Sequence, residues 1–147
     1  MSKKFDAIVI GTGQAGPSMA QRMTQEGLKT AIIERKLFGG TCVNVGCIPT
    51  KTLVASARVA YMARRGDEFG VTIDGDITVD MKKVKARKDG VVRQSNQGVT
   101  NWMKNMEGLT GFEGHGRFES ANTVSVNGEI LEAEKIVLNV GGRARIP

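Results

Sequence analysis

The chain has 147 residues, 40% of them hydrophobic, with 19 glycines against 3 prolines; this fits one ordinary domain with a real core, and so many turns that long helices cannot fill it. The net charge of +6 would suit a polyanion, but the dense basic run Lys82, Lys83, Lys85, Arg87 and Lys88 is flanked by Asp80 and Asp89 and carries no aromatic interleaving, so a solvated helix face accounts for it better than a nucleic-acid partner. The N-terminal MSKKFDAIVIG holds only the short apolar run from Ala7 to Ile10, too little for a signal-peptide core or a membrane span, and a cytoplasmic protein with no membrane partner is expected.

Taken in chain order, residues 5–10 (FDAIVI) read as a buried strand running into a glycine turn. A helix is expected over 15–26, with Met19, Ala20 and Met23 at helical spacing and Gly27 as its stop. Residues 29–34 (KTAIIE) repeat the strand signal, which makes a β-α-β crossover unit. Residues 48–65 look helical, with Pro49 in the first turn, where a missing N–H costs least. Residues 71–79, interrupted by Asp74-Gly75-Asp76, read as loop or short hairpin. A further helix is expected over 80–106, with Met81, Val84, Val91, Val92, Val99 and Met103 on an imperfect apolar face. Residues 114–119, 123–126, 129–132 and 135–140 read as short strands, and Asn127-Gly128 is a hairpin signal.

Gly11-Thr-Gly-Gln-Ala-Gly16 fits G-x-G-x-x-G immediately after the first strand and opening the first helix. Gly11 permits the tight turn, Gly13 the approach of backbone to a pyrophosphate and Gly16 the close packing of helix on strand, while the helix N-terminus offers N–H groups to the phosphates. Glu34, at the end of the second strand, is placed to accept hydrogen bonds from ribose hydroxyls and argues against a 2′-phosphate there. The competing reading is a glycine turn beside a merely solvated acid. The pattern does not separate NAD from FAD.

Both cysteines of the chain lie in GGTCVNVGCIPTK, residues 39–51. A structural disulfide is disfavoured in a reducing compartment, so a close pair suggests redox or metal chemistry. Coiling Val43 to Gly46 into about one turn would bring Cys42 and Cys47 within disulfide reach. Cys47 would then sit at the start of the helix near Pro49, where the dipole favours a thiolate, and Lys51 would add a positive charge one turn on. Zinc would need ligands beyond Cys42, Cys47 and the distant His115; two ordinary buried cysteines and a dithiol that cycles between oxidised and reduced forms remain the other readings.

The joint pattern, GTGQAG followed by GGTCVNVGCIPTK, with GHGRFE at 114–119 and NVGGRARIP at 139–147, resembles the FAD-dependent pyridine nucleotide-disulfide oxidoreductases, which include dihydrolipoamide dehydrogenase, glutathione reductase and mercuric reductase. The resemblance spans nearly the whole chain. It implies an α/β, Rossmann-like FAD-binding domain with a parallel sheet, crossover helices and a small antiparallel β section, residues 1–147 forming its N-terminal segment. It also implies that Gly11, Gly13 and Gly16 approach the FAD pyrophosphate, Glu34 the adenosine ribose, Gly40 and Thr41 the middle of the cofactor, and the backbone around His115 and Gly116 the adenine. Cys47 would be the sulfur nearest the flavin ring, Cys42 the one that exchanges with substrate, and Lys51 would stabilise negative charge near the flavin N5. NAD(P)H would be the electron donor of the full-length enzyme and a small molecule or metal ion its substrate.

Such relatives are longer, with a second dinucleotide-binding fold, a return segment to the FAD domain, and a dimerisation domain that makes the full-length enzyme a homodimer. Their catalytic histidine lies in that last region, so His115 is not assigned as catalytic. The chain is expected to be the first FAD-domain segment of a larger enzyme, unable to turn over alone. The runs CVNVGCIPTKTLVASARVA, VDMKKVKARKDGVV and NVGGRARIP are most similar to mercuric reductases, with dihydrolipoamide dehydrogenase as the alternative. A nucleotide-binding module with idle cysteines is the reading from a different class.

Overall fold

The structure is a computed structural model that describes residues 2–146; Met1 and Pro147, the last residue of the NVGGRARIP match, lie outside the described residues. After a two-residue strand, β1 (Lys3–Lys4), the chain passes from one sheet to another. The Phe5 N–H donates to the Glu132 carbonyl at 2.9 Å, whereas the Asp6 N–H donates to the Lys29 carbonyl at 2.8 Å. The strand expected over 5–10 is therefore shorter, β2 (Ala7–Ile10), because Phe5 and Asp6 serve different ladders.

The crossover unit follows as expected: α1 (Ala15–Gln25) leads into β3 (Thr30–Glu34), which pairs parallel to β2 from Ala7 with Thr30 to Ile10 with Ile33. Next come α2 (Gly40–Asn44), α3 (Cys47–Arg64), a 3-10 turn (Gly66–Phe69) and a segment, residues 71–80, without regular structure. Asp80 caps α4 (Met81–Lys104), its carboxylate accepting from the Lys82 and Lys83 backbone N–H groups at 2.9 and 3.1 Å. The apolar face expected of this helix holds beyond its first turn: Val84, Val91 and Val92 are half-buried, Val99 packs against the core and Met103 is buried, whereas Met81 is exposed.

The last third forms β4 (Leu109–Glu113), β5 (Arg117–Ser120), β6 (Thr123–Val126), β7 (Glu129–Glu132) and β8 (Lys135–Leu138). Asn127 and Gly128, at φ 50° and 82°, turn β6 into β7, since two positive φ values match the twist of a two-residue hairpin. The strand expected over 114–119 starts only at Arg117. Its first residues are instead a crossing, fixed where the Gly114 N–H donates to the Glu34 carbonyl at 2.8 Å.

Strands β4, β3, β2 and β8 form a four-stranded parallel sheet in that order; β1, β7, β6 and β5 form a second, in which β5, β6 and β7 are antiparallel. Successive strand side chains point to opposite faces, so each central strand feeds two cores. Ile8, Ile10, Ala31 and Ile33 pack with Val124, Val126 and Leu131 of the smaller sheet, and Val9 and Ile32 pack with Ala20 of α1 and Met103 of α4. The parallel sheet is thus sandwiched between helices and a β layer, and each fully buried isoleucine contributes about 1.5–3 kcal/mol. At one end of this sheet the neighbouring strands β3, β2 and β8 deliver Glu34, Gly11 and Asn139 side by side.

Candidate functional site

Gly11 follows β2 at φ +105°, and a β-carbon there would overlap the Asn139 carbonyl oxygen; one on Gly16 would overlap the Gly11 carbonyl oxygen. Only glycine fits either position. The turn opens α1 with no side-chain cap from Gln14 and no acid in the first helical turn. The positive end of an eleven-residue helix is thus left without a side-chain partner of its own, a fit for a pyrophosphate. Asn139 braces the turn from β8, its amide donating to the Gly11 and Gly13 carbonyls at 3.2 and 3.3 Å.

Glu34 ends β3 beside that turn. Its Oε2 accepts from the Thr12 N–H at 3.0 Å and the Thr12 hydroxyl at 2.6 Å, and its Oε1 accepts from the Lys36 N–H at 2.9 Å. Partial burial works against ionisation, but the Thr12 hydroxyl and the Thr12, Lys36 and Arg35 N–H groups prevail and hold the carboxyl below its ordinary range. His115 is exposed in the crossing that Gly114 anchors to Glu34, and Gly116 packs on Ile33 and Val124, so both expected adenine-side residues lie beside the expected ribose acid.

Gly40 connects this nucleotide half to the sulfur half. It starts α2 at φ +59°, and a β-carbon on it would lie 2.7 Å from the Gly13 α-carbon. Thr41 is exposed next to it, and Cys42 is half-buried on α2. The helix breaks after Asn44, and Cys47 opens α3, exposed. Both thiols are free. Hydrogen bonding to the Cys47 sulfur, then partial burial and the field of Cys47, push the Cys42 thiol above its usual range; the Cys47 backbone N–H and the Lys51 ammonium act in the opposite sense. Between the cysteines the chain leaves α2 after Asn44 and enters α3 at Cys47, and both Cys47 and Lys51 lie near enough to Cys42 to affect its ionisation. Among the described residues, no group of three or more histidine, cysteine or acidic side chains gathers as a metal site.

Four polar residues that the sequence reading passed over hold this arrangement. Thr12 and Asn139 are described above. The Asn96 amide, from α4, donates to the Phe38 carbonyl at 2.8 Å and to Asn44 Oδ1 at 3.1 Å, while the Asn44 amide donates to the Phe38 and Gly40 carbonyls, both at 2.9 Å. The cysteine-bearing α2 is thereby tied to α4. Thr12 and Asn139 each adjoin the glycine turn, one in sequence and one at the end of a parallel strand, which was the available signal; nothing in the sequence pairs Asn44 with Asn96.

The family model for "Pyridine nucleotide-disulphide oxidoreductase" matches residues 5–147. The chain belongs to this family. Members of this FAD-dependent oxidoreductase family use NAD(P)H as electron donor. The chain is 40% identical over its whole length to a dihydrolipoyl dehydrogenase of Acholeplasma laidlawii, covering 44% of that protein, and 39% identical to one of Chlamydia muridarum, matching 99% of this chain and 31% of that one. The HOCl-induced flavoprotein disulfide reductase RclA from Escherichia coli superimposes with a TM-score of 0.80 at 29% identity, over 97% of this chain and 29% of that chain. Its Cu(II) complex gives 0.78 at 27% identity, over 99% and 30%. The family and the α/β fold expected from the sequence both hold. The preference for mercuric reductases is not supported: the Acholeplasma laidlawii and Chlamydia muridarum relatives carry the dihydrolipoyl dehydrogenase name. The chain spans less than half the length of these relatives, and among its described residues no helix is long and apolar enough to cross a membrane.

Proposed function

We propose that this chain supplies the FAD-binding and dithiol part of a flavoprotein disulfide oxidoreductase of the dihydrolipoyl dehydrogenase kind, acting on a small dithiol or disulfide. One observation carries the reading: two free cysteines, Cys42 on α2 and Cys47 at the start of α3, lie near each other, and Gly40 seats α2 on a glycine turn built for a dinucleotide. In this reading Gly11, Gly13 and Gly16 receive the pyrophosphate, Glu34 the adenosine ribose, and the backbone at His115 and Gly116 the adenine. Gly40 and Thr41 meet the middle of FAD. The chemistry FAD supplies when bound is two-electron exchange between the dithiol and a nicotinamide nucleotide.

The chain's own chemistry is thiol-disulfide exchange. A substrate thiolate attacks the Cys42 sulfur of a Cys42–Cys47 disulfide, and Cys47 leaves as the thiolate. The second substrate thiolate attacks its own sulfur in the mixed disulfide, closing the substrate disulfide and releasing Cys42, which takes up a proton; two electrons have then passed from substrate to the cysteine pair. Lys51 stabilises negative charge at the pair. The full-length enzyme is a homodimer in this reading, as family resemblance implies.

The test loads the purified chain with FAD, removes excess by gel filtration, oxidises the cysteines and titrates anaerobically with dihydrolipoamide. Retained flavin absorption that bleaches with dihydrolipoamide in the native chain, and not in Cys42→Ser, is the expected result. No retained flavin, or bleaching unaffected by Cys42→Ser, overturns the reading. Consumption of NADPH by the full-length enzyme with mercuric ion, and none of NADH or NADPH with lipoamide, would return the choice to mercuric reductase.

A further inference from the structure

Thr12 is the first variable residue of the glycine turn, and its side chain is completely buried. The hydroxyl faces two groups at once: it donates to Glu34 Oε2 at 2.6 Å and accepts from the Gly39 N–H at 3.2 Å. Gly39, at φ +91°, is the residue from which α2 starts, and α2 carries Cys42. A hydroxyl has one proton to give, and this one is given to the acid, so the Gly39 bond depends on the lone pair left exposed by that orientation. Valine has nearly the same shape as threonine. It would fill the space but offer no hydroxyl, leaving the buried Gly39 N–H without its bond and Glu34 Oε2 with only the backbone N–H of position 12.

We propose that Thr12 is a positioning residue that couples the two halves of the site: its hydroxyl fixes the Glu34 carboxylate for the ribose and, through Gly39, fixes the start of the helix that presents Cys42. The inference rests on the proposed FAD site. It goes beyond that reading in assigning to one side chain, outside the glycines, the acid and the sulfurs, a joint effect on nucleotide binding and thiol reactivity.

The experiment compares native chain, Thr12→Val and Thr12→Ser by two readouts: the FAD dissociation constant from flavin fluorescence, and the iodoacetamide alkylation rates of Cys42 and Cys47 without nucleotide, resolved by mass spectrometry. Circular dichroism shows that each variant is folded. Loss of a hydrogen bond to a charged group predicts FAD binding weakened by about 10-fold or more in Thr12→Val. Cys42 alkylation should change several-fold in the same variant, and Thr12→Ser, which keeps the hydroxyl, should restore both. A purely local role at Glu34 would leave Cys42 alkylation at the native rate, which overturns the coupling, as do Thr12→Val values equal to native in both readouts. Native chain that binds no FAD overturns the site reading itself, and this inference with it. A Thr12→Val chain that does not fold is replaced by Thr12→Ala, judged by the same two readouts.

Discussion

Gly40 and Gly13, 27 residues apart in the sequence, are packed so closely that a β-carbon on Gly40 would sit 2.7 Å from the Gly13 α-carbon and 3.2 Å from its nitrogen. Gly40 also has φ +59°, a left-handed value that side chains disfavour. Gly40→Ala is therefore expected to destabilise the chain by about 1–3 kcal/mol. It should also lower FAD retention, because the nucleotide turn and the cysteine helix must separate. A urea midpoint equal to the native one would show that this contact is slack.

The Cys42 thiol is raised chiefly by its neighbouring sulfur. Cys47→Ala removes the hydrogen bond and the field together, so the pH midpoint for Cys42 alkylation should fall towards the ordinary 9.0. Replacing Lys51 by Met, which removes the one charge that favours ionisation there, should move it the other way. Alkylation rates measured from pH 6 upward at a fixed iodoacetamide concentration test both signs, and an unmoved midpoint in Cys47→Ala would mean the sulfurs do not interact in solution.

Glu34 is held below its ordinary value of 4.5. A depressed carboxyl contributes stability that is present in full above the unfolded value and is lost as pH falls through the folded one. The native chain should thus lose stability below about pH 4.5 by a component that Glu34→Gln lacks. Urea midpoints compared at pH 7, 5, 4 and 3 give the answer: parallel curves for the two proteins would remove Glu34 as the source.

Asn139 donates to two carbonyls of the glycine turn. Asn139→Ala leaves both without that donor, with an expected cost of about 1–2 kcal/mol in thermal or urea unfolding. A proportionally larger loss in FAD affinity is expected than from a surface change such as Lys82→Ala. Equal affinities in the two variants would show that the turn keeps its shape without the brace.

The β-α-β unit was readable because its strands are uninterrupted apolar runs that stop at a glycine turn and at an acid, and the Asn127-Gly128 hairpin because two positive φ values narrow the choice of residues. The spacing of Cys42 and Cys47 put the two sulfurs in one neighbourhood, but what they do there was not legible from spacing, and both are free in the structure. Strand β4 was not. Leu109 and Phe112 are its only large apolar residues and do not alternate, so its strand state comes from lying beside β3, with Phe112 packed edge-on against Phe5 at 6.0 Å. The crossing at Phe5 and Asp6 depends likewise on which distant carbonyls their N–H groups find. For the same reason the glycines and Glu34 of the site were legible, whereas Thr12, Asn44, Asn96 and Asn139 were not: their roles lie in partners between 4 and 128 positions away.

The bond from Asn139 to Gly11 closes a loop of 128 residues. Both cysteines and the glycine turn leave a ribosome long before the strand that braces the turn has been made. Until β8 docks on β2, Gly11 lacks its brace, and the part of the loop entropy that pairing of β2, β3 and β4 has not already taken up falls on that docking. Nascent chains halted before residue 135 should accordingly carry reactive thiols but an unformed nucleotide turn, so cofactor capture follows synthesis of this segment and does not guide it.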